Sequence, residues 1–277
     1  MTTPQLRIEE PAPGYLRATF DHAPINLIDY DTVRELSDFI TRLEQDPGVR
    51  VAVFDSANPD FFLAHWDITA QPPATEEPTK TGLNPWLDVL SRLSRVPVAT
   101  IASVHGRARG AGSEFVLACD LRFASRDHSR LGQPEVPLGL VPGGGPMARL
   151  PRLVGRGRAL EILLSGHDLT GAEAELYGYV NRALPDAELA DFVDAFARRI
   201  ARFDKRAIAE TKHYVDTASL PEDAEFASTP AAFLAAASRP ETAARVGALL
   251  QRGMQRHGDI EFDLGTHVGA EDLPTAH

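Results

Sequence analysis

The chain has 277 residues, with 28 Lys and Arg against 39 Asp and Glu, and a formal net charge of -11. Hydrophobic residues make up 43% and charged residues 24%, which is the balance of a globular protein with a sizeable core. The negative charge disfavours nucleic acid and anionic membranes, so we expect neither as a partner. A single cysteine, Cys119, excludes an intrachain disulfide and a Cys-based metal site.

The N-terminal residues show no basic segment followed by an apolar one, and no window approaches 18 uninterrupted apolar residues. We therefore predict neither a signal peptide nor a membrane span, and we expect a cytoplasmic location.

The chain begins with strand patterns and then turns helical. Residues 6–10 and 15–20 predict a hairpin of two short strands. Helical spacing follows from Asp29, with Asp31 available as the N-cap. Residues 51–54 then predict a buried strand.

A loop interrupts this alternation at residues 71–82, where Pro, Thr and Glu occur without an apolar period, and we predict an exposed, mobile segment. A helix, a strand, a second helix and a second strand are predicted after it, at residues 87–93, 98–104, 111–119 and 121–124. Alternation of this kind up to about residue 185 predicts an α/β fold.

The second part of the chain shows helical patterns only. Four Ala-rich helices are predicted, at residues 189–200, 207–215, 226–237 and 242–254. We therefore divide the chain into an α/β core at 1–185, a helical oligomerisation region at 186–257 and a tail or wrapping arm at 258–277.

The first candidate functional residue is Glu114, in the segment RARGAGSEFVLACD at residues 107–120. It follows Gly110, Ala111 and Gly112 and falls in the first turn of a predicted apolar helix. The free backbone N–H groups of a helix N-terminus attract anions, including charge that develops in a transition state. Glu114 is therefore either a first-turn acid that stabilises the helix or a carboxylate that acts on a ligand bound there.

The second candidate is Glu135, the one charged residue in LGQPEVPLGLVPGGG at residues 131–145. Its neighbours are apolar or conformationally restrictive, which should raise its pKa toward the range that a general acid or base needs. The alternative is a surface turn acid without a role. The glycines at 143–145 lack the Lys and the Ser or Thr of a phosphate-binding P-loop.

These two segments together resemble the crotonase superfamily, the enoyl-CoA hydratase and isomerase proteins. The resemblance extends through FFLAHWDI at 61–68, PVATIASVHG at 97–106 and RLPRLVGRGRALEILLSGHDLTGAEAELYGYVNRALP at 149–185. It implies a crotonase-like spiral of ββα units with a C-terminal helical trimerisation region. It also implies a homotrimer or a dimer of trimers.

The resemblance further implies an acyl-CoA substrate and the addition of water across the C2–C3 double bond of a 2-enoyl-CoA thioester. Glu114 and Glu135 match the paired acids that hold the water in hydratases, and the amides of Trp66 and Ala111 match the oxyanion hole. Coenzyme A is part of the substrate, and neither a further cofactor nor a metal is implied.

Five residues match the substrate pocket of the family: Ala64, His65, Ile68, Gly110 and Gly143. His65 and Trp66 stand where relatives often carry Gly and Ala, which places two rings beside the oxyanion site. His65 is interpreted either as a residue of the pocket wall or as a third catalytic group. Trp66 either packs in the fold or stacks on a ligand.

The contacts with coenzyme A are less well defined by the resemblance. Ala64 matches a residue that offers its carbonyl to adenine. Thr69 replaces a Lys that in many relatives helps to hold the phosphates, so Arg107, Arg109 or Arg252 would have to supply the charge.

Isomerases of this family generally keep the acid that Glu135 matches and lose the other, so the pair favours hydration. Other crotonase chemistry remains an alternative, namely isomerisation, thioester hydrolysis or C–C bond cleavage. A further alternative is an oligomer that binds a ligand without catalysing a reaction.

Overall fold

The computed structural model describes residues 4–74, 78–271 and 273, and two sheets organise this part of the chain. The larger sheet has six strands in the order β1-β2-β3-β5-β7-β10. Its strands are β1 (Leu6–Ala12), β2 (Tyr15–Phe20), β3 (Val51–Ser56), β5 (Ala99–Val104), β7 (Leu121–Ser125) and β10 (Arg182–Leu184). β1 pairs antiparallel with β2, and every other neighbouring pair is parallel. All six residues of β5 are buried, as expected for a parallel strand that is covered on both faces.

The smaller sheet has four strands of two or three residues in the order β4-β6-β8-β9. They are β4 (Phe61–Leu63), β6 (Arg107–Arg109), β8 (Arg130–Gly132) and β9 (Leu169–Thr170). Strands this short carry no alternating pattern that could reveal them in a sequence.

Helices connect the strands and then replace them. Those before β10 are α1 (Tyr30–Gln45), α2 (Pro85–Arg95), α3 (Ala111–Ala118), α4 (Pro146–Val154), α5 (Arg156–Ser165) and α6 (Gly171–Tyr177). Those after β10 are α7 (Asp186–Ile200), α8 (Lys205–Ser219), α9 (Thr229–Ala237), α10 (Pro240–Arg252), α11 (Asp259–Phe262) and α12 (Leu264–His267). Throughout the described ranges, every helix is too short or too polar to traverse a bilayer.

The start of α1 corrects one prediction. Its N-cap is Asp29, whose carboxylate accepts the Thr32 amide at 2.8 Å while Thr32 Oγ1 accepts the Asp29 amide at 3.2 Å. Asp31 lies in the first turn and is not the cap. The reciprocal capping box satisfies two free amides, which a residue inside the first turn cannot do.

Aromatic packing holds α3 between the two sheets. The ring of Phe115 lies 5.3 Å from Phe20 and 5.0 Å from Phe54 of the larger sheet, and 6.4 Å from Phe62 of the smaller one. Because Phe115 follows Glu114 directly, this packing fixes the helix turn that carries the acid.

The predicted exposed loop at 71–82 agrees with the structure where it is described. Residues 71–74 and 80–82 are exposed, and residues 75–77 lie outside the described residues. The mobility of the loop stays a prediction.

The chain beyond α10 packs against the loop that carries Glu135. Leu264, Val268 and Leu273 are buried in one apolar cluster with Leu138 and Leu140. The described part of the predicted tail or wrapping arm is therefore an integral layer of the fold.

Candidate active site

The site begins at the junction of β6 and α3, where the backbone requires glycine. Gly110 is the N-cap of α3 and has a φ of 48°, in the left-handed region. A Cβ at this position would lie 2.8 Å from Glu135 Oε1, so a side chain is excluded by space as well. At Gly112, a Cβ would lie 2.1 Å from the carbonyl oxygen of Leu63. The small residues therefore let α3 approach both Glu135 and the end of β4.

Glu114 is buried, and two donors hold its carboxylate. The indole Nε1 of Trp86 donates to Oε2 at 2.9 Å, and the backbone amide of Gly144 donates to Oε1 at 2.7 Å. Burial raises the pKa of Glu114, while the bonds from Trp86 and Gly144 favour the charged form and oppose that rise. Both oxygens are thus oriented to accept hydrogen bonds.

Glu135 lies on the other side of Gly110 in a different environment. Its Oε2 has no hydrogen-bond partner among the described residues. Burial and the nearby charge of Glu114 raise the pKa of Glu135 to about 8. Its own carbonyl accepts the amides of Leu138 and Leu140 at 3.0 and 2.8 Å, which keeps the loop rigid. Glu135 therefore retains its proton at neutral pH, and the two acids differ in the hydrogen bonds that they receive.

The backbone amides of Ala111 and Trp66 are the two donors predicted for the oxyanion hole. Ala111 is the first residue of α3, so its N–H has no acceptor within the helix. Ile28 donates to the His65 carbonyl at 2.9 Å and accepts from the Asp67 amide at 2.8 Å. The N–H of Trp66, between those two residues, therefore points away from Ile28.

Trp66 and Ile68 follow β4 and differ in their surroundings. The Trp66 ring packs edge-on against Tyr30 at 5.3 Å and against Trp86 at 6.2 Å. Trp66 thus takes part in fold packing next to the indole that binds Glu114. Ile68 is 38% exposed and lies at the surface.

His65 is buried and makes two polar contacts outside the acid pair. Its Nδ1 lies 2.9 Å from the Trp66 carbonyl oxygen, and its Nε2 lies 2.9 Å from Glu261 Oε1 in α11. The ring is thereby directed toward the C-terminal segment. A direct role for His65 as a third acid or base beside Glu135 does not fit this orientation.

The glycine turn before α4 brings Gly144, rather than Gly143, against Glu114. A Cβ at Gly144 would lie 2.0 Å from Glu114 Oε2, whereas the nearest atoms to a Cβ at Gly143 would be those of Phe233, at 3.5 Å or more. Gly144 is therefore the glycine that shapes the surroundings of Glu114. It lies in the quoted segment, but only the tertiary structure distinguishes it from its neighbours.

The candidate contacts with coenzyme A are changed by the structure in two places. The Ala64 carbonyl accepts the Arg109 amide at 3.2 Å, and Ala64 has no exposed surface, so this carbonyl cannot reach adenine in the present conformation. Arg109 is fully buried and binds Asp168 through two bonds, of 2.7 and 2.6 Å. Arg109 is therefore a structural residue and is not available for phosphate.

The other two arginines are placed differently. Arg107 donates to the carbonyls of Phe262 at 2.9 Å and Asp60 at 3.2 Å, and its guanidinium lies over the Phe262 ring. Arg252 is exposed at the end of α10. Arg109 is buried and Arg107 is partly buried, so Arg252 is the most exposed of the three arginines.

Three residues that support this site were not singled out from the sequence: Trp86, Gly144 and Glu261. Trp86 lies at the start of a helical pattern, where an aromatic residue indicates only that this side chain belongs to the hydrophobic core. Glu261 lies in a segment without a clear period. Both reach the site across long sequence separations, 28 residues in the bond between Trp86 and Glu114 and 196 in that between His65 and Glu261. No local pattern indicates such contacts.

The site thus has two buried acids beside the N-terminus of an apolar helix in an α/β fold, Glu114 in the first turn of α3 and Glu135 across Gly110. Residues 14–240 match the family model described as enoyl-CoA hydratase/isomerase. The chain belongs to the enoyl-CoA hydratase/isomerase family, and the resemblance to crotonases is confirmed.

Similar proteins agree with this assignment. A crystal structure from Streptomyces avermitilis, of a protein for which enoyl-CoA hydratase is the proposed activity, superposes with a TM-score of 0.92 at 40% identity. It covers 99% of this chain and 100% of that one. Carnitinyl-CoA dehydratase of Escherichia coli O157:H7 is 30% identical over 212 residues, which are 76% of this chain and 80% of that protein.

A longer relative matches in part. The fatty acid oxidation complex subunit alpha of Vibrio parahaemolyticus is 31% identical over 193 residues, which are 69% of this chain. The chain spans about 28% of the length of that subunit. The similarity therefore concerns one portion of a larger protein.

Proposed function

We propose that this protein adds water across the C2–C3 double bond of a 2-enoyl-CoA thioester, and catalyses the reverse dehydration of the 3-hydroxyacyl thioester. The observation that carries the proposal is the unequal pair of buried acids. Glu114 is held by two hydrogen-bond donors, whereas the pKa of Glu135 is raised to about 8. One carboxylate that accepts a proton and one carboxylic acid that donates a proton are what hydration of a double bond requires.

In the proposed mechanism the thioester oxygen lies against the amides of Trp66 and Ala111. Negative charge grows on that oxygen when hydroxide adds at C3, and two amides fixed by the fold stabilise it without reorganising. Each donor of this kind contributes about 2.7–4 kcal/mol to transition-state stabilisation. Neither side chain is required for this contact.

The proton transfers balance between the two acids. Water lies between them, Glu114 accepts a proton as the oxygen bonds to C3, and Glu135 delivers its proton to C2. The product carries the hydroxyl on C3 and the new hydrogen on C2, and one proton then returns from Glu114 to Glu135. The step needs no oxidant, reductant or metal, and coenzyme A enters only as part of the substrate.

Burial of both acids has a consequence for access. Glu114 is 3% exposed and Glu135 is 8% exposed. A cavity of about 780 Å³ has Tyr30, Asp67 and Pro85 among its lining residues, and neither acid lines it. Trp66 packs on Tyr30, and Trp86 follows Pro85 and binds Glu114, so the two indoles lie next to the cavity wall. Admission of an acyl chain to the acids requires these or other covering side chains to move.

The decisive experiment is a product assay with short- and medium-chain 2-enoyl-CoA esters and mass spectrometry. Hydration increases the mass of the thioester by one water and removes the enoyl absorbance. Carnitinyl-CoA dehydratase, the relative named above, is a dehydratase, so 3-hydroxyacyl esters are tested in the reverse direction as well. Intact substrate under all conditions contradicts the proposal.

The same assay separates the alternatives. A product of unchanged mass with a moved double bond indicates isomerisation, free coenzyme A thiol indicates thioester hydrolysis, and a shortened acyl chain indicates C–C cleavage. Binding of acyl-CoA without any product supports the non-catalytic oligomer.

We also propose that the chain assembles through its C-terminal helices into a trimer or a dimer of trimers. No residue of α8 is buried in the described chain. Two of its large side chains, Tyr214 and Val215, are 76% and 58% exposed. Leu234 of α9 is also exposed. Light scattering coupled to gel filtration would give the mass, and a monomer at micromolar concentration contradicts this part of the proposal.

A further inference from the structure

A C-terminal segment, residues 254–262, contacts both parts of the chain that carry the proposed oxyanion amides. Gln255 Nε2 donates to Asp67 Oδ1 at 3.1 Å and to the Trp66 carbonyl at 3.4 Å. On the other side, Arg109 Nη1 donates to the Glu261 carbonyl at 2.6 Å. Arg109 ends β6, two residues before Ala111. One segment therefore positions both amide donors.

The contact between His65 and Glu261 determines where the protons on the imidazole are. A carbonyl oxygen only accepts hydrogen bonds, so His65 Nδ1, at 2.9 Å from the Trp66 carbonyl, carries a hydrogen. Glu261 Oε1 accepts the Gln255 amide at 2.7 Å and lies 2.9 Å from His65 Nε2. A carboxylate that faces Nε2 needs a hydrogen on that nitrogen too. The geometry is that of an imidazolium paired with a carboxylate.

The surrounding charges favour the same state. Burial alone lowers the pKa of His65, but the charge and hydrogen bond of Glu261 outweigh burial, and the pKa is raised. Burial likewise raises the pKa of Glu261, and His65 outweighs it, so that this pKa is lowered. Arg109 opposes a charge on His65, but Asp168 neutralises Arg109 through two bonds.

Two further acids face this region. Glu135 lies across Gly110 from His65, since a Cβ on Gly110 would be 2.8 Å from Glu135 Oε1 and 3.7 Å from His65 Cβ. Asp67 is bound by Gln255. A change in the charge of His65 would therefore be felt at the acid pair as well as at the oxyanion hole.

We infer that His65 is a positioning residue of the oxyanion hole, held as an imidazolium by Glu261 and acting through the backbone of Trp66. The ring fixes the Trp66 carbonyl, Ile28 holds the His65 carbonyl at 2.9 Å, and the Trp66 N–H points away from Ile28. The positive charge also lies one residue from the amide that faces the growing oxyanion. This inference rests on the proposed function, because it assigns His65 a task in stabilising a thioester oxyanion.

The charge on His65 can be measured without an activity assay. In protein labelled with ¹⁵N-histidine, both ring nitrogens of His65 should be protonated at pH 7.5, above the ordinary histidine pKa of about 6.5. The signal is assigned by its absence from His65→Gln. A neutral ring at pH 7.5 overturns the inference.

Kinetics then test the positioning role. Glu261→Gln should lower kcat by about 10- to 100-fold at pH 8, less than the loss of a direct oxyanion donor. It should change KM by about 2-fold or less, because the lost interaction strengthens only in the transition state. Lowering the pH should restore part of the kcat of Glu261→Gln as His65 gains its proton, whereas His65→Gln should show no such recovery.

The matched control is Asp259→Asn, which removes one negative charge from the same helix at an exposed position. It should leave kcat unchanged. A loss of kcat in Glu261→Gln that is independent of pH and parallels a loss of thermal stability overturns the positioning role in favour of a structural one. If Glu261→Gln does not fold, the positioning role of His65 is tested by the ¹⁵N measurement on the unsubstituted protein and by the kinetics of His65→Gln.

Failure of the inference and failure of the proposed function have different signatures. A protein that turns over acyl-CoA esters but has a neutral His65 refutes the inference alone. A protein that turns over no acyl-CoA ester refutes the proposed function, and with it the task assigned to His65, whatever the charge of the ring.

Discussion

Trp86 donates its indole N–H to Glu114 across 28 residues of sequence, at 2.9 Å. The bond joins the first turn of α2 to the first turn of α3. It leaves Glu114 with both oxygens engaged, because Gly144 occupies the other one. Burial raises the pKa of Glu114, and these two bonds oppose that rise because they favour the charged form. The difference from Glu135, whose Oε2 has no partner in the described chain, is the basis of the predictions on catalysis.

Trp86→Phe should move the acidic limb of the activity profile to higher pH. Phenylalanine keeps a ring against Trp66 but cannot donate, and a hydrogen bond lost from the charged form raises the pKa of Glu114. The unsatisfied oxygen should also destabilise the fold by about 1–3 kcal/mol. The pH dependence of kcat/KM measures the first effect, and urea unfolding measures the second. In a Glu114→Gln background the same substitution should have a smaller effect, and equal effects in both backgrounds would contradict the role of this bond.

Gly144→Ala should abolish most of the activity. A Cβ there would lie 2.0 Å from Glu114 Oε2, so the carboxylate must leave its present position. We expect kcat to fall by at least about 100-fold, as for the loss of a positioned acid or base. Gly157→Ala is the matched control, since a Cβ at Gly157 of α5 meets nothing within 4 Å. That control should keep full activity and gain up to about 1 kcal/mol of stability.

Glu114→Gln and Glu135→Gln should each lower kcat by about 10²–10⁴ while KM changes little. Each variant removes one of the two proton transfers but keeps the volume of the side chain. Steady-state kinetics on a 2-enoyl-CoA ester measure both parameters. The exposed Glu188→Gln in α7 serves as the control and should behave as the unsubstituted protein. Full activity in Glu135→Gln would exclude it as the acid.

Stability should decrease with pH through the range in which Glu135 titrates. Its pKa in the folded chain is raised from the ordinary 4.5 to about 8, so the folded chain keeps a proton that the unfolded chain releases. The stabilisation is fully present below about pH 4.5 and is lost as pH rises through about 8. Urea unfolding at several pH values should show a steeper decrease for the unsubstituted protein than for Glu135→Gln. Identical slopes would contradict the raised pKa.

Asp168→Asn should destabilise the fold strongly. Arg109 is fully buried, and the substitution leaves its guanidinium without a carboxylate, at a cost of about 3–5 kcal/mol. Glu210→Gln breaks the exposed pair with Arg206 and should cost about 0.5 kcal/mol or less. Chemical denaturation compares the two. If Asp168→Asn lowers the free energy of unfolding by less than about 1 kcal/mol, the buried pair is not important for stability.

Local patterns predicted the elements that are long and apolar. The buried strands β3 and β5, the helices α1 and α3 and the hairpin of β1 and β2 all appear where their periodicity indicates, within a few residues. The N-cap of α1 was wrong by two positions because Asp29 and Asp31 are both capable caps. The capping box with Thr32 decides between them.

The short strands of the second sheet and the supporting contacts of the site were not predictable in this way. β4, β6, β8 and β9 have two or three residues each, and their pairing depends on the rest of the fold. Arg107 and Arg109 carry the same charge in the sequence. In the structure both are engaged with the C-terminal segment, and Arg109 is also paired with Asp168.

The sequence by itself indicated the family, the α/β character and the two candidate acids Glu114 and Glu135, because these depend on residue types at fixed local spacing. Only the tertiary structure decided that Glu114 is held by Trp86 and Gly144, that Glu135 is not held in the same way, and that His65 faces Glu261. The protonation state of a buried acid depends on the donors and charges within a few ångströms. Those neighbours come from distant parts of the chain, so their identity is known only once the chain has folded.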